Sequence, residues 1–170
     1  MSRYPEVFVS YSSKDKAVAD AAVSALESRG ISCWYAPRDI GPGRDWGGAI
    51  GDAIEQCKVF VLIFSGSANR SQHVVDELYL AISEETVVVP FRIENLNPTG
   101  AMRLQLASRH WLDAFQPTWR PHLDALAESV ADSLGRDLEL ATTTGTETEQ
   151  AEPTPEPVPT GRRIPRWGWA

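Results

Sequence analysis

Lys58-Val-Phe-Val-Leu-Ile-Phe64 is the stretch of the sequence that decides the fold class. After its first residue it is entirely apolar, which is typical of a strand in the middle of a parallel sheet with helices on both faces. Three further runs of β-forming residues lie at 6–11, 31–35 and 86–91, and a shorter fifth run lies at 109–112.

Amphipathic helical patterns separate these runs. Ser12 and Asp15 predict a capping box for the first helix, which would end at Gly30. The apolar stripes of four helices lie at Ala17, Ala21 and 23–26; at Trp46, Ala49, Ile50, Ala53 and Ile54; at Val74, Val75, Leu78, Ala81 and Ile82; and at Leu123, Leu126, Val130 and Leu134. Strands that alternate with helices over short connections predict an α/β fold with a doubly wound, five-stranded parallel sheet. A ligand site is then expected beyond the carboxyl ends of the strands, in the turns after residues 11, 35, 64 and 91.

Charge and composition exclude several classes of protein. The chain has 170 residues with 16 Lys+Arg and 23 Asp+Glu, a net charge of −7, so we expect no nucleic-acid partner. No apolar run approaches the roughly 20 residues that cross a bilayer, and the first residues lack the pattern of a signal peptide. Two cysteines are too few for a disulfide scaffold, so a cytoplasmic location is expected.

The composition changes after residue 141, which divides the chain into three parts. Residues 1–141 are the expected folded domain, and residues 142–160 are rich in Thr, Glu and Pro, a composition typical of a disordered linker. Residues 161–170, GRRIPRWGWA, are basic and aromatic. Arg and Trp often precede a membrane-spanning helix on its cytoplasmic side, so a membrane or sensor module could follow; a simple tail is the alternative.

The turns of the predicted sheet lack several known chemical motifs. The first turn carries no GxGxxG fingerprint, and there is no P-loop. Ser10, Tyr11 and Ser65 stand where a phospho-accepting receiver domain needs acids. The three histidines do not cluster at ligand spacings, so no metal site is expected. Cys33 and Cys57 have no nearby base and are interpreted as small buried hydrophobes.

Glu77 is the carboxylate that stands out on the third helical pattern. With about 100° per residue and the stripe centred on Leu78, Asp76 points about 160° away into solvent, whereas Glu77 lies about 100° away at the border of the buried face. His73, four residues earlier, shares its side of the helix. A half-shielded carboxylate near a strand's carboxyl end could stabilise a developing positive charge, although most border glutamates are simply solvated.

Five segments in order resemble a Toll/interleukin-1 receptor (TIR) domain of the bacterial type. These are VFVSYSSKD, CWYAPRDIGPGRDW with the loop that the family calls the BB loop, FSGSANRSQHVVDEL, FRIENLNP and HWLDAF, which together span roughly residues 5–135. The resemblance implies a flavodoxin-like sheet and, in many members, cleavage of NAD as a substrate rather than a cofactor.

By this resemblance Glu77 is the catalytic glutamate, acting on an oxocarbenium-like state as in glycoside hydrolysis. The resemblance also implies that Phe8, Tyr11, Ser12, Trp34 and Trp46 border the nucleotide. For Phe8, Trp34 and Trp46 the alternative to binding is plain core packing. For Ser12 the alternative is helix capping, which is compatible with a position near the ligand. Where several relatives carry Trp and Asp, this chain has His73 and Ala36-Pro37, and Arg38 or Asp39 could substitute for the Asp.

Two functions remain open from the sequence. The first is an NAD glycohydrolase that is activated by self-assembly through the BB loop and makes ADP-ribose or a cyclic isomer, in signalling such as antiphage defence. The second is a non-catalytic adaptor that acts only through contacts between TIR domains, with the loop at 37–43 as its main surface.

Overall fold

The computed structural model describes residues 4–136, which form a parallel sheet with helices on both faces. The strands are β1 (Val7–Ser10), β2 (Cys33–Trp34), β3 (Val59–Phe64), β4 (Val87–Arg92) and β5 (Leu112–Asp113). The helices are α1 (Lys16–Glu27), α2 (Trp46–Gln56), α3 (Gly66–Asn69), α4 (Gln72–Ser83), α5 (Gly100–Leu106) and α6 (Leu123–Ser133), with 3₁₀ turns at Ser13–Asp15 and Arg120–His122. The strand order β2-β1-β3-β4-β5 confirms the predicted five-stranded sheet.

The central strand β3 is buried along its whole length, as its apolar sequence predicts. Because side chains alternate across a strand, Val59, Val61 and Ile63 pack against α1 and α6, whereas Phe60, Leu62 and Phe64 pack against the core beneath α2, α4 and α5. Ser10 is aligned with Leu62 across β1 and β3. The polar end of β1 is therefore inserted into the α2–α4 side of the sheet.

Several boundaries differ from the sequence predictions. The predicted capping box is wrong in part: Ser12 caps the short 3₁₀ turn by accepting from the Lys14 amide, while the Asp15 carboxylate accepts from Ser65 instead. The strand expected at 109–112 forms at Leu112–Asp113, and the strand expected at 31–35 is shortened to Cys33–Trp34. The helices α3 and α5 were not predicted.

Two interpretations of the sequence can be compared with the burial of single residues. Cys33 and Cys57 are free and buried, and desolvation raises the pKa of their thiols to about 12 and about 11. They are thus the small buried hydrophobes that were expected. Trp46, by contrast, is 56% exposed, so it lies outside the buried stripe of α2.

Two further predictions concern the ends and the membrane. The domain boundary at 141, the linker at 142–160 and the basic-aromatic end at 161–170 lie outside the described residues. Within residues 4–136, every helix is too short or too polar to cross a bilayer.

Candidate active site

Glu77 lies in the middle of α4, half-buried, and its carboxyl group reaches the end of β1. The Ser10 hydroxyl donates a hydrogen bond of 2.5 Å to Glu77 Oε2. Asp76, the neighbouring residue, is exposed and accepts instead from Gln72 within the same helix. The angular difference between the two acids predicted from the helical period is therefore present in the structure.

A groove of about 220 Å³ runs between α2 and α4, and Glu77 lies in its wall. Gly47 and His73, each the second residue of its helix, mark one end, and Ile54 and Leu80 lie two turns further along. The lining is Gly47, Ile50, Gly51, Ile54, His73, Asp76, Glu77 and Leu80. The two glycines of α2 contribute no side chains to the lining, so the groove stays open on the α2 side.

Burial changes the acid–base properties of this carboxyl. Desolvation raises the pKa of Glu77 from 4.5 to about 7, the Ser10 hydrogen bond opposes the rise and the negative charge of Asp76 adds to it. Glu77 is consequently an acid that titrates near neutrality beside an open groove, which is the combination expected of a group that works on a bound ligand.

Tyr11 and Ser12 follow directly on the chain but point elsewhere. The Tyr11 ring packs on the α1–α6 core, and its hydroxyl donates to the carbonyl oxygen of Ala36, at the start of the loop before α2. Ser12 is buried and caps the 3₁₀ turn. The structure brings neither side chain into the groove, and their predicted contact with a nucleotide stays a prediction.

Phe8 and Trp34 lie in the core beneath α2. The two rings stack with centroids 5.0 Å apart, and the Phe8 ring also stacks on Phe60 at 5.4 Å. Only 1% of Phe8 and 8% of Trp34 is exposed. This placement matches the core-packing alternative, and a role for either ring in binding a ligand remains a prediction.

Arg38 is held in the loop between β2 and α2, away from the groove lining. Its guanidinium forms ion pairs with Glu27 and Asp39, both at 2.9 Å, and lies 4.7 Å from the centre of the Tyr35 ring. It also donates to the carbonyl oxygen of Cys33. These contacts fix the shape of the loop, and the predicted contact of Arg38 with a nucleotide stays a prediction.

Trp46 and His73 are exposed residues at the start of the two helices that border the groove. Trp46 directly precedes Gly47, and His73 lines the groove itself. Of the residues predicted around Glu77, His73 is thus the one that shares its groove, and Trp46 lies beside the end of it.

Sequence reasoning missed Ser10 as a site residue. The signal that could have found it is its position two residues after Phe8, on the same buried face of the strand. A polar side chain buried there needs a hydrogen-bond partner. The partner lies 67 positions away, beyond the reach of any local pattern. Among residues 4–136, no group of three or more His, Cys, Asp or Glu side chains is arranged as metal ligands.

Comparison with known proteins gives one family and several related folds. A family model described as TIR domain matches residues 7–130. The stimulator of interferon genes protein of Magallana gigas is 31% identical over 86 residues, which are 48% of this chain and 21% of that protein. The chain therefore spans about a fifth of the length of that curated relative.

Solved structures share the architecture at low sequence identity. The TIR domain of the Toll-related receptor TRR-2 of Hydra magnipapillata has a TM-score of 0.61 at 22% identity, over 74% of this chain and 98% of that chain. A TIR-STING receptor of C. gigas in complex with 2',3'-cGAMP gives 0.61 at 21% identity, over 74% and 39% of the two chains. The CMP N-glycosidase of Clostridium botulinum gives 0.53 at 17% identity, over 71% and 96%. These likenesses confirm the flavodoxin-like fold, whereas the bacterial type stays a prediction.

Proposed function

The chain belongs to the TIR domain family, and we propose that it is an NAD glycohydrolase that cleaves the nicotinamide–ribose bond. One observation carries the proposal: the half-buried Glu77 lines an open groove, and its carboxyl is hydrogen-bonded to Ser10 at the carboxyl end of β1. A glutamate with only a structural role has no need to line an open groove. The fold also includes a protein described as a CMP N-glycosidase, so it is compatible with cleavage of an N-glycosidic bond.

The proposed chemistry needs one carboxylate and no metal. The bond between ribose C1′ and the pyridinium nitrogen breaks, its electron pair leaves with neutral nicotinamide, and C1′ becomes an oxocarbenium-like cation. The Glu77 carboxylate stabilises that cation and accepts hydrogen bonds from the ribose hydroxyls. Water then adds to C1′ and releases a proton to give ADP-ribose, or a nucleophile of the same molecule adds to give a cyclic isomer.

The charge of Glu77 fits the cationic pyridinium end of NAD. Asp76 is exposed and bonded to Gln72 within α4, and α2 contributes only Gly and Ile to the lining. A bound pyridinium cation favours the ionised form of Glu77, so substrate binding shifts the carboxyl toward its active state. The attraction between the pyridinium and the Glu77 carboxylate is lost once the ring becomes neutral nicotinamide, which favours release of this product.

The decisive experiment compares two neighbouring acids. The purified domain is incubated with NAD, and free nicotinamide and the ribose products are separated by chromatography. We expect Glu77→Gln to reduce the rate by about 100-fold or more, because it removes the charge that faces the cation. Asp76→Asn, which alters an exposed acid of the same groove, should stay within about threefold.

The adaptor is the second candidate, and the exposed loop supports it. Residues 41–48, which run from the end of the loop at 37–43 into the first turn of α2, are all exposed, and an exposed Trp such as Trp46 is typical of a contact between proteins. Self-association through this loop is compatible with either function. Wild-type protein that releases no nicotinamide, even when it is clustered at high density on beads, would favour the adaptor.

A further inference from the structure

Ser10 is the last residue of β1 and is almost completely buried, with 1% of its surface exposed. Its strand pairs with β2 on one side and β3 on the other, and Ser10 itself is aligned with Leu62 of the central strand. A side chain with one rotatable χ angle on such a strand has very little freedom. Its hydroxyl is therefore a rigid point inside an otherwise apolar layer.

Glu77 has the opposite character, because a glutamate side chain has several rotatable bonds and this one borders an open groove. Within residues 4–136, Ser10 is the hydrogen-bond donor to the Glu77 carboxyl, through Oε2 at 2.5 Å. The bond engages one of the two carboxyl oxygens and leaves Oε1 outside it. Without the Ser10 contact, the carboxyl would be free to rotate toward bulk water and lose its alignment with a bound sugar.

The other ionisable groups around Glu77 do not take over this role. Asp76 and His73, from α4 itself, line the groove, and the negative charge of Asp76 disfavours ionisation of Glu77. Tyr11 is the ionisable neighbour on the β1 side, and its hydroxyl is engaged with Ala36. The face of α2 that lines the groove carries only Gly and Ile.

We propose that Ser10 is the positioning residue of Glu77: its hydroxyl holds Oε2 against the end of β1 and keeps the ionised carboxyl aimed into the groove. The proposal rests on the proposed function for its effect on NAD cleavage. Its structural part, that Ser10 favours the charged form of Glu77, holds for the protein without substrate. Ser10 itself does not contact the reacting atoms in this scheme.

The first test is a titration that needs no activity. The Glu77 carboxyl carbon is followed by ¹³C NMR from pH 4 to 9 in protein labelled at glutamate, and its signal is assigned from its loss in Glu77→Gln. In Ser10→Ala we expect the midpoint to rise by about 0.5–1 pH unit, because the lost hydrogen bond favoured the ionised form. Ser65→Ala, which also removes a fully buried serine hydroxyl bonded to a carboxylate, should leave the Glu77 midpoint unchanged. An unchanged midpoint in Ser10→Ala overturns the proposal.

The second test uses NAD cleavage. Ser10→Ala should lower kcat by about 10-fold to 100-fold with a smaller change in KM, and should move the pH profile of kcat/KM upward. Ser10→Thr keeps the hydroxyl and should recover most of the rate. Wild-type rate and pH profile in Ser10→Ala, with wild type active, overturn the positioning role and leave the proposed function intact. An inactive wild type with a shifted NMR midpoint would overturn the proposed function instead.

Discussion

Ser10–Glu77 and Ser65–Asp15 are two serine–carboxylate pairs at the same edge of the sheet, with the same hydrogen-bond length of 2.5 Å and different surroundings. The Ser65 hydroxyl also accepts from the Ala68 amide and so caps α3. Its pair joins the first turn of the domain to the segment after β3. The Ser10–Glu77 pair joins two elements as well, but its carboxyl borders the groove between α2 and α4.

The comparison shows which property identifies a candidate site. Burial raises the pKa of Asp15 as it raises that of Glu77, so the direction of the shift does not separate the two acids. The groove does, because Glu77 lines it and Asp15 does not. A carboxyl group needs both a perturbed pKa and access to a ligand before a catalytic role follows.

Filling the groove should have the largest effect. Gly51 lines the groove, and a Cβ built on it meets no heavy atom within 4 Å, so we expect a larger side chain there to occupy the groove. We expect Gly51→Leu to lower kcat/KM for NAD by about 100-fold or more while the circular dichroism spectrum and melting cooperativity stay those of wild type.

Gly51→Ala is the matched control for that substitution. It adds one methyl group within a helix, where alanine is favoured over glycine by up to about 1 kcal/mol, and should keep most of the activity. Full activity in Gly51→Leu would contradict the assignment of the groove as the ligand site. The Ser10–Glu77 pair would then have a structural role only, like the Ser65–Asp15 pair.

The second largest effect is expected in the pH dependence of kcat/KM, which should distinguish Glu77 from Asp15. The proposed chemistry needs ionised Glu77, whose pKa is about 7, so kcat/KM should rise about tenfold per pH unit below 7 and level off above it. Asp15→Asn should leave this midpoint unchanged, because Asp15 does not line the groove. A profile that is flat from pH 5 to 8 in wild type would contradict an essential role for Glu77 ionisation.

Much of the fold could be predicted from local pattern, whereas the contacts of the site could not. The apolar run of β3 and the stripe of α4 predicted the sheet and the half-buried position of Glu77, because both follow from strand and helix periodicity. The helix α5 was missed because Leu104, 82% exposed, interrupts the pattern of the buried Met102 and Leu106.

The partner of Glu77 was missed for another reason. A hydrogen bond between residues 10 and 77 depends on the packing of α4 against β1, and no spacing within one element encodes it. The same holds for the anchoring of the loop before α2, where Tyr11 donates to the Ala36 carbonyl and Arg38 reaches Glu27. Tertiary contacts of this kind decide which predicted residues face a ligand.

The pH dependence of stability should reveal the cost of ionising Glu77 inside the fold. Because the folded-state pKa of Glu77 is raised from 4.5 to about 7, its contribution to stability is present below pH 4.5 and is lost as the pH rises through 7. Glu77→Gln, which does not ionise, should therefore raise the free energy of unfolding by about 1–2 kcal/mol at pH 8 and change it little at pH 4.5.

Ser65→Ala should lower the free energy of unfolding at both pH values. It removes the hydrogen-bond partner of the half-buried Asp15 carboxyl and of the Ala68 amide, at a cost of about 1–3 kcal/mol. Urea unfolding at pH 4.5 and pH 8 measures all of these values. A Glu77→Gln variant that is destabilised at pH 8 would show that Glu77 has a mainly structural role, like the second pair.

The smallest expected effect concerns Trp46, which lies beside one end of the groove that Glu77 lines. The Ser65–Asp15 pair lines no part of this groove. If self-association through the loop at 37–43 completes the site, specific activity should rise with protein concentration, since a neighbouring chain then covers the groove. Trp46→Ala should reduce that rise by about threefold to tenfold, in line with the loss of one interface aromatic.

Tyr79→Ala is the matched control, because Tyr79 is an exposed aromatic of α4 that does not line the groove. Specific activity that stays constant over a wide dilution series, in wild type and both variants, would show instead that one chain holds the complete site.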